Sequence, residues 1–256
     1  MADDRAAGLW ALVAAHAASR ARRVSVADVC GVAVTSAEVS GGWVTAGSNP
    51  GSEIVVCVTD SVSEQLAELE MTLGEGPCRD AAGAGAPVLA GDLSDAGTGR
   101  RWPAFSPAAR ELGVRAIFVL PLMIGAIRAG VLGMYRDIAG PLTGSQLGDC
   151  LILADVATVL LLDSQQDGDG SATADDAAAP ELAGRAPDLA LHRAEIDQAT
   201  GMLTEQLGVS VGDAFARLSA YAYSHDRRLA DVARDIVARR LRLPPDLLMD
   251  GQLDDN

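Results

Sequence analysis

Glu195 to Arg242, EIDQATGMLTEQLGVSVGDAFARLSAYAYSHDRRLADVARDIVARRLR, constrains the chain most, because its apolar residues recur only at helical spacing. Ile196, Ala199, Leu203 and Leu207 step by three or four and predict a first helix that ends at Gly208. Ser210 with Asp213 supplies an N-cap and an acidic first turn for a second helix carrying Val211, Ala214, Leu218 and Ala222 to about His225. After the polar break Asp226 to Arg228, Leu229, Val232, Ala233, Ile236 and Val237 predict a third helix, closed by Pro244-Pro245. Three short helices with two tight connections make a small bundle.

Ile196-Asp-Gln-Ala-Thr-Gly-Met202, Asp213-Ala-Phe-Ala-Arg-Leu218 and Leu229-Ala-Asp-Val-Ala233, at their mutual spacing, resemble the antitermination-regulator RNA-binding domain, ANTAR. The resemblance implies a bundle that reads a two-hairpin RNA as a dimer. By motif it points to Gln198, Thr200, Gly201, Arg217 and Tyr221 as RNA-contacting positions. Ala199, Leu203, Ala214, Leu218 and Ala222 would be structural. Two positions depart from the family pattern: Thr200 stands where many relatives have Lys, and Ser219 where an Arg is frequent.

Charge gives a separate argument. Residues 188–243 carry eight Arg against eight Asp and Glu, whereas residues 1–187 carry 12 Arg against 23 acids. Arginine suits RNA because its planar guanidinium forks onto phosphate or stacks on a splayed base. Arg193, Arg227 and Arg228 are therefore candidates by charge, with Tyr221, Tyr223 and His225 beside them as stacking surfaces. The competing explanation is a solvated helix surface, its arginines paired with Asp226, Asp231 and Asp235.

The rest of the chain alternates. Residues 6–21 predict an amphipathic helix, Val29 to Val39 a strand, Trp43 to Ala46 a short strand and Ile54 to Thr59 another. Ser63 is expected to cap a helix over Gln65 to Leu73, and helices are also predicted over Pro77 to Ala84 and Pro103 to Leu112, with a strand over Pro87 to Leu93. Arg115 to Ile124 and Ile127 to Arg136 form a hairpin about Gly125-Ala126, and Thr143 opens a long helix to about Asp163. The fold class is α+β.

Leu73-Gly-Glu-Gly-Pro-Cys78, Gly91-Asp-Leu93, Arg101-Trp-Pro-Ala-Phe105 and Gly113 to Asp137 resemble a GAF domain. This implies an antiparallel sheet between helices with a small-ligand pocket on one face. Ahead of an ANTAR bundle, these segments are similar to the actinobacterial GAF-ANTAR regulators. Pocket candidates are Trp43, Glu75, Asp92 and Trp102, with bland alternatives: the tryptophans fill gaps beneath the sheet and Asp92 ends a strand. The signal, a small molecule or a protein, is not specified.

The organisation expected is a GAF-like sensory domain at 1–164, a flexible linker at 165–187 almost devoid of apolar residues, the ANTAR bundle at 188–245 and an acidic tail at 246–256. Leu147, Leu151, Ala154, Thr158 and Leu161 form a seam on the long helix for a second subunit, a homodimer, or a covered core helix. The acidic Met1 to Arg5 is unlike a signal peptide, and the apolar run Cys150 to Leu162 is too short for a bilayer, so a cytoplasmic, non-membrane chain is expected. Four cysteines at least 21 residues apart and three scattered histidines show neither metal spacing nor a nucleophile-base pair. No metal, cofactor or catalytic residue is expected. Cys78, at the start of a helix, stands where a thiol pKa is lowered. A net charge of −15 opposes unselective nucleic-acid binding. The function expected is a signal-responsive RNA-binding antitermination regulator. Its rival is a sensory and dimerisation module whose bundle binds protein instead of RNA.

Overall fold

The computed structural model describes residues 2–47, 53–167, 185–225 and 227–244. The chain divides into two compact units, residues 1–187 and 188–256. The expected linker and acidic tail fall largely outside the described residues, although 165–167 extend one helix and 185–187 begin another.

In chain order the first unit contains α1 (Ala2–Ala18), α2 (Val26–Ala37), β1 (Gly41–Ala46), β2 (Ile54–Val58), α3 (Ser61–Leu73), α4 (Pro77–Ala84) and β3 (Val88–Ala90). There follow α5 (Ala96–Arg101), α6 (Phe105–Glu111), β4 (Ala116–Ile124), β5 (Ile127–Arg136) and α7 (Gly144–Asp167). The strands form one sheet ordered β2-β1-β5-β4-β3, antiparallel throughout. Its centre is the expected β4/β5 hairpin. Alternation along the strands gives the sheet two covered faces. Val44, Phe118, Leu120, Leu132 and Met134 face a core with α1, α2 and α7, while α3 and α4 cover the other face, where Trp43 and its cross-strand neighbours Val58 and Gly133 point.

Val26–Ala37 is a helix, which corrects the strand expected at Val29 to Val39. The β-branched residues Val29, Val32, Val34 and Thr35 favour a strand locally, but Val26, Val29, Cys30, Ala33 and Ala37 recur at helical spacing and are all buried. Asp28 starts the helix: its Oδ2 accepts from the Ser25 backbone N–H at 2.9 Å and from Ser25 Oγ at 2.8 Å. Fully buried, Asp28 also binds Arg22 at 2.7 Å and His16 Nδ1 at 3.0 Å, which ties the end of α1 to the start of α2. Burial works to raise its carboxyl pKa, but these hydrogen bonds and the Arg22 charge hold it below its ordinary value.

The helix expected at Pro103 to Leu112 is α6, and ahead of it stands α5, which the sequence reading did not include, started by Asp95 accepting from the N–H groups of Gly97 and Thr98. Two other expectations are corrected. Asp60, not Ser63, caps α3 by accepting from Val62 N and Ser63 N, each at 2.9 Å. The α7 helix spans 24 residues and has the length and composition of a membrane span, unlike the 13-residue run taken from the sequence. One side of it nevertheless packs Cys150, Leu153, Ala157 and Leu161 into the core. Ala154, Thr158 and Leu161 of the expected dimer seam are buried within this chain, whereas Leu151 and Val159 remain 43% and 49% exposed.

Among the described residues the second unit contains three helices, α8 (Arg185–Leu207), α9 (Val211–Ser224) and α10 (Leu229–Val237). Gly208, with φ +63°, ends α8, a conformation that costs glycine little. Ser210 Oγ accepts from Asp213 N at 3.1 Å and caps α9. Ile196, Ala199, Leu203, Ala214, Leu218, Ala222, Leu229, Val232, Ala233 and Ile236 are buried at the spacing read from the sequence. The third helix stops at Ala238 and Arg239, where φ is +57°, and not at the prolines. Leu243 then packs back, 1% exposed, with its carbonyl accepting from Gln206 Nε2 at 3.1 Å.

Candidate nucleic-acid interface and sensory site

In the helical unit, the core stripe of α8 leaves Ala194, Asp197, Gln198, Gly201 and Glu205 outward. Gln198 and Gly201 thus share a solvent-facing stripe with two carboxylates. Thr200 is turned the other way: 5% exposed, its Oγ1 donates to the Ile196 carbonyl at 2.7 Å, so its side chain belongs to the packing. The backbone of Arg193 lies in α8, and its side chain is outside the described residues.

On α9, Arg217 and Tyr221 sit four residues apart on one half-buried flank. The Tyr221 ring is stacked on His225, with centroids 3.9 Å apart and planes at 18°. Arg227 and Arg228, both exposed, follow at the turn into α10. Arg227 bonds Asp235 at 2.7 Å, and Arg240 reaches the same carboxylate at 2.8 Å. Two guanidinium groups on one carboxylate hold Asp235 below its ordinary pKa and leave a net positive charge at this corner. Arg234 is shared by Glu195 at 3.3 Å and Asp231 at 3.0 Å. The turn at Arg227 and Arg228 therefore presents arginine beside the Tyr221 and His225 rings, while several of the clustered arginines are engaged by acids of their own bundle.

In the sheet unit, the four pocket candidates are used differently. Glu75 Oε1 accepts from the backbone N–H groups of Ala104 and Phe105 at 2.7 and 2.8 Å, capping α6. Trp102 is 2% exposed, donates Nε1 to Asp80 at 3.0 Å and meets Phe105 edge-on at 6.2 Å. Glu75 and Trp102 thus come together at the start of α6. Asp92 is exposed and bonds Ser94 N and Oγ at 2.7 and 2.6 Å in a local turn, which lowers its pKa.

Trp43 belongs to another group of residues. Fully buried on β1, its indole covers Gly133, where no Cβ fits. Nearby, Glu70 reaches from α3 to the start of α4, whose N-cap residue Gly76 has no side chain to cap it, and Oε2 accepts from Cys78 N at 2.8 Å and Arg79 N at 3.3 Å. Burial pushes the Glu70 carboxyl up to about 8 despite those bonds. The Cys78 thiol lies beside Glu70 and the Trp43 indole, and burial followed by the Glu70 charge raises its pKa well above the ordinary value. This reverses the lowering expected for Cys78, because the half-buried thiol faces the Glu70 carboxyl. Sequence reading missed Glu70, although a carboxylate on the Leu66, Glu70, Leu73 face of an amphipathic helix is a signal for it. Among the described residues no three His, Cys, Asp or Glu side chains gather as a metal site requires.

Residues 190–237 match the sequence profile of the ANTAR domain. No curated protein matches the chain. Among solved structures, the chain is similar to the GAF domain from a phosphoenolpyruvate-protein phosphotransferase of Coxiella burnetii, at 13% identity and TM-score 0.49, covering 64% of this chain and 99% of that one. It is also similar to the GAF domain from the Acinetobacter phosphoenolpyruvate-protein phosphotransferase, at 11% identity and TM-score 0.47, covering 66% and 98%. The GAF-B domain of DevS from Mycobacterium smegmatis is 25% identical with TM-score 0.39, covering 57% and 96%.

Proposed function

We propose that this chain is a signal-responsive, non-enzymatic RNA-binding regulator of transcription termination. A GAF-like sensory domain at residues 1–164 controls an ANTAR bundle at 188–245 that binds paired hairpins in nascent mRNA. The observation carrying this reading is the ANTAR match over residues 190–237, supported by the grouping of Arg217, Tyr221, Arg227 and Arg228 around the end of α9. In this reading the guanidinium groups of Arg217, Arg227 and Arg228 meet phosphate, and Tyr221 offers a face to a loop base. Gln198 and Gly201 contribute from the outward stripe of α8, where glycine lets a backbone approach closely. The protein acts in the cytoplasm as a homodimer, its second copy covering Leu151 and Val159 on α7 with Trp10 and Leu12 of α1, which are 45% and 54% exposed.

Replacing Arg217 and Arg228 together by Ala tests the assignment. Affinity for a two-hairpin RNA is expected to fall at least tenfold, with the helical circular dichroism retained. Unchanged affinity would remove both residues from the interface. A second reading is favoured by the carboxylates of Asp197 and Glu205 on the α8 stripe and by the arginines held at Asp235: a sensory and dimerisation module whose bundle docks a protein. Its bundle would bind two-hairpin RNA no better than any other polyanion.

A further inference from the structure

Three polar side chains on the α3/α4 side of the sheet carry atoms that are buried without a hydrogen-bond partner: Trp43 Nε1, Thr45 Oγ1 and Glu70 Oε1. Their residues are 0%, 7% and 7% exposed. Trp43 and Thr45 are alternate residues of β1, paired in register with Gly133 and Val131 of β5, so both side chains leave the same sheet face. Glu70 joins them across the Cys78 thiol, which borders both its carboxyl and the indole. The thiol is a weak donor and a weak acceptor and offers each of them only a weak interaction. Buried polar groups are nearly always bonded, and three orphans on one side of one sheet mark a place where a partner belongs.

We infer that Trp43, Thr45 and Glu70 form the polar end of a small-molecule site that takes a compact, uncharged ligand through an acceptor oxygen or nitrogen. The donor set gives the ligand its chemistry. Glu70 Oε2 already accepts from two backbone N–H groups, so the proton of the neutral carboxyl sits on Oε1. Trp43 Nε1–H and Glu70 Oε1–H are then two donors with no acceptor stronger than the Cys78 sulfur, and the Thr45 hydroxyl serves either role. The Glu53 charge also acts on Glu70 and Cys78 and disfavours an anion beside them. A cation would meet a neutral carboxyl instead of a carboxylate. The indole face and Val131 supply the apolar wall usual for a ligand site.

The inference rests on the sensory reading of residues 1–164 and is independent of RNA binding, so its test reads only this site in the full chain. Of the three tryptophan indole N–H signals in a nitrogen-15 spectrum, that of Trp43 is assigned with Trp43→Phe. N-methylacetamide, acetate and methylammonium are titrated as probes. Only N-methylacetamide is expected to move the Trp43 signal, saturably and downfield. Glu70→Gln, whose amide NH₂ replaces the Oε1 proton, keeps the response within about twofold, and Thr45→Val weakens it at least threefold. A preference for acetate or methylammonium would overturn the ligand class. An indole signal that ignores all three probes would overturn the site, most plainly if it shows a cross-peak to a long-lived internal water.

Discussion

Replacing Glu70 by Gln is expected to change how the stability of the sheet unit depends on pH. In the folded chain the carboxyl titrates at about 8, against an ordinary value of 4.5. The folded state therefore holds a proton that the unfolded state releases anywhere between those values. Stability is full below the unfolded pKa, declines as pH rises through the interval and levels off above about 8. A tenfold difference in proton affinity between the two states is worth about 1.4 kcal/mol, so the interval spans on the order of 5 kcal/mol between pH 4 and pH 9. Gln mimics the neutral acid: its carbonyl keeps the Cys78 and Arg79 bonds and it never ionises. The variant should match the wild type within about 1 kcal/mol at pH 4.5 and exceed it by several kcal/mol at pH 9. Asp28, held low by its partners, titrates alike in both proteins and cancels in the difference. All three tryptophans, at 10, 43 and 102, lie in the first unit, so urea unfolding followed by tryptophan fluorescence reports on that unit alone. Parallel pH profiles for the two proteins would refute the buried, neutral carboxyl.

Asp28→Ala leaves Arg22 without the ion pair between α1 and α2, and removal of one partner from a buried pair costs roughly 3–5 kcal/mol; fluorescence-monitored unfolding should show it, and a loss under 1 kcal/mol would contradict the tie. Ser210→Ala removes the cap of α9 and should cost about 1 kcal/mol, read as earlier thermal loss of helical dichroism with the tryptophan transition unmoved. Asp235→Ala releases Arg227 and Arg240 from their shared carboxylate, so it should tighten binding to a two-hairpin RNA and steepen the salt dependence; weaker binding in a folded variant would contradict that electrostatic account.

The helical unit was legible because its signals are local and mutually consistent. Gly208 and Ser210 mark the first connection, and the apolar residues read for each helix become buried except for the exposed Val211 and the half-buried Leu207 and Val237. The β4/β5 hairpin was legible for the same reason: two long apolar runs flank a two-residue turn. The α2 helix was not, because its valines and threonine carry a strand preference that only packing against α1, α7 and the sheet overrides. The signal that identifies it is Ser25 followed three residues later by Asp28, a capping arrangement that β-branched composition outweighs when the segment is read alone. Glu75 and Trp102 were singled out as pocket candidates, and the structure uses them at the start of α6. Capping and lining draw on the same residue types, and spacing alone does not separate them. Glu70 was missed because an acid with an apolar stripe on either side reads as a solvated helix position until its neighbour, the start of α4, is known. Likewise, the partners of Arg227 and Arg234 depend on how α10 returns against α8 and α9, information that a count of charges lacks.

The most direct test of the central claim is a titration of the full chain, at two salt concentrations, against an RNA with two short hairpins carrying hexanucleotide loops and against a single-hairpin control. The RNA-binding account predicts at least tenfold tighter binding to the two-hairpin RNA, weakening as salt rises because arginine–phosphate contacts release counterions. Equal binding to the two RNAs at both salt concentrations would contradict it.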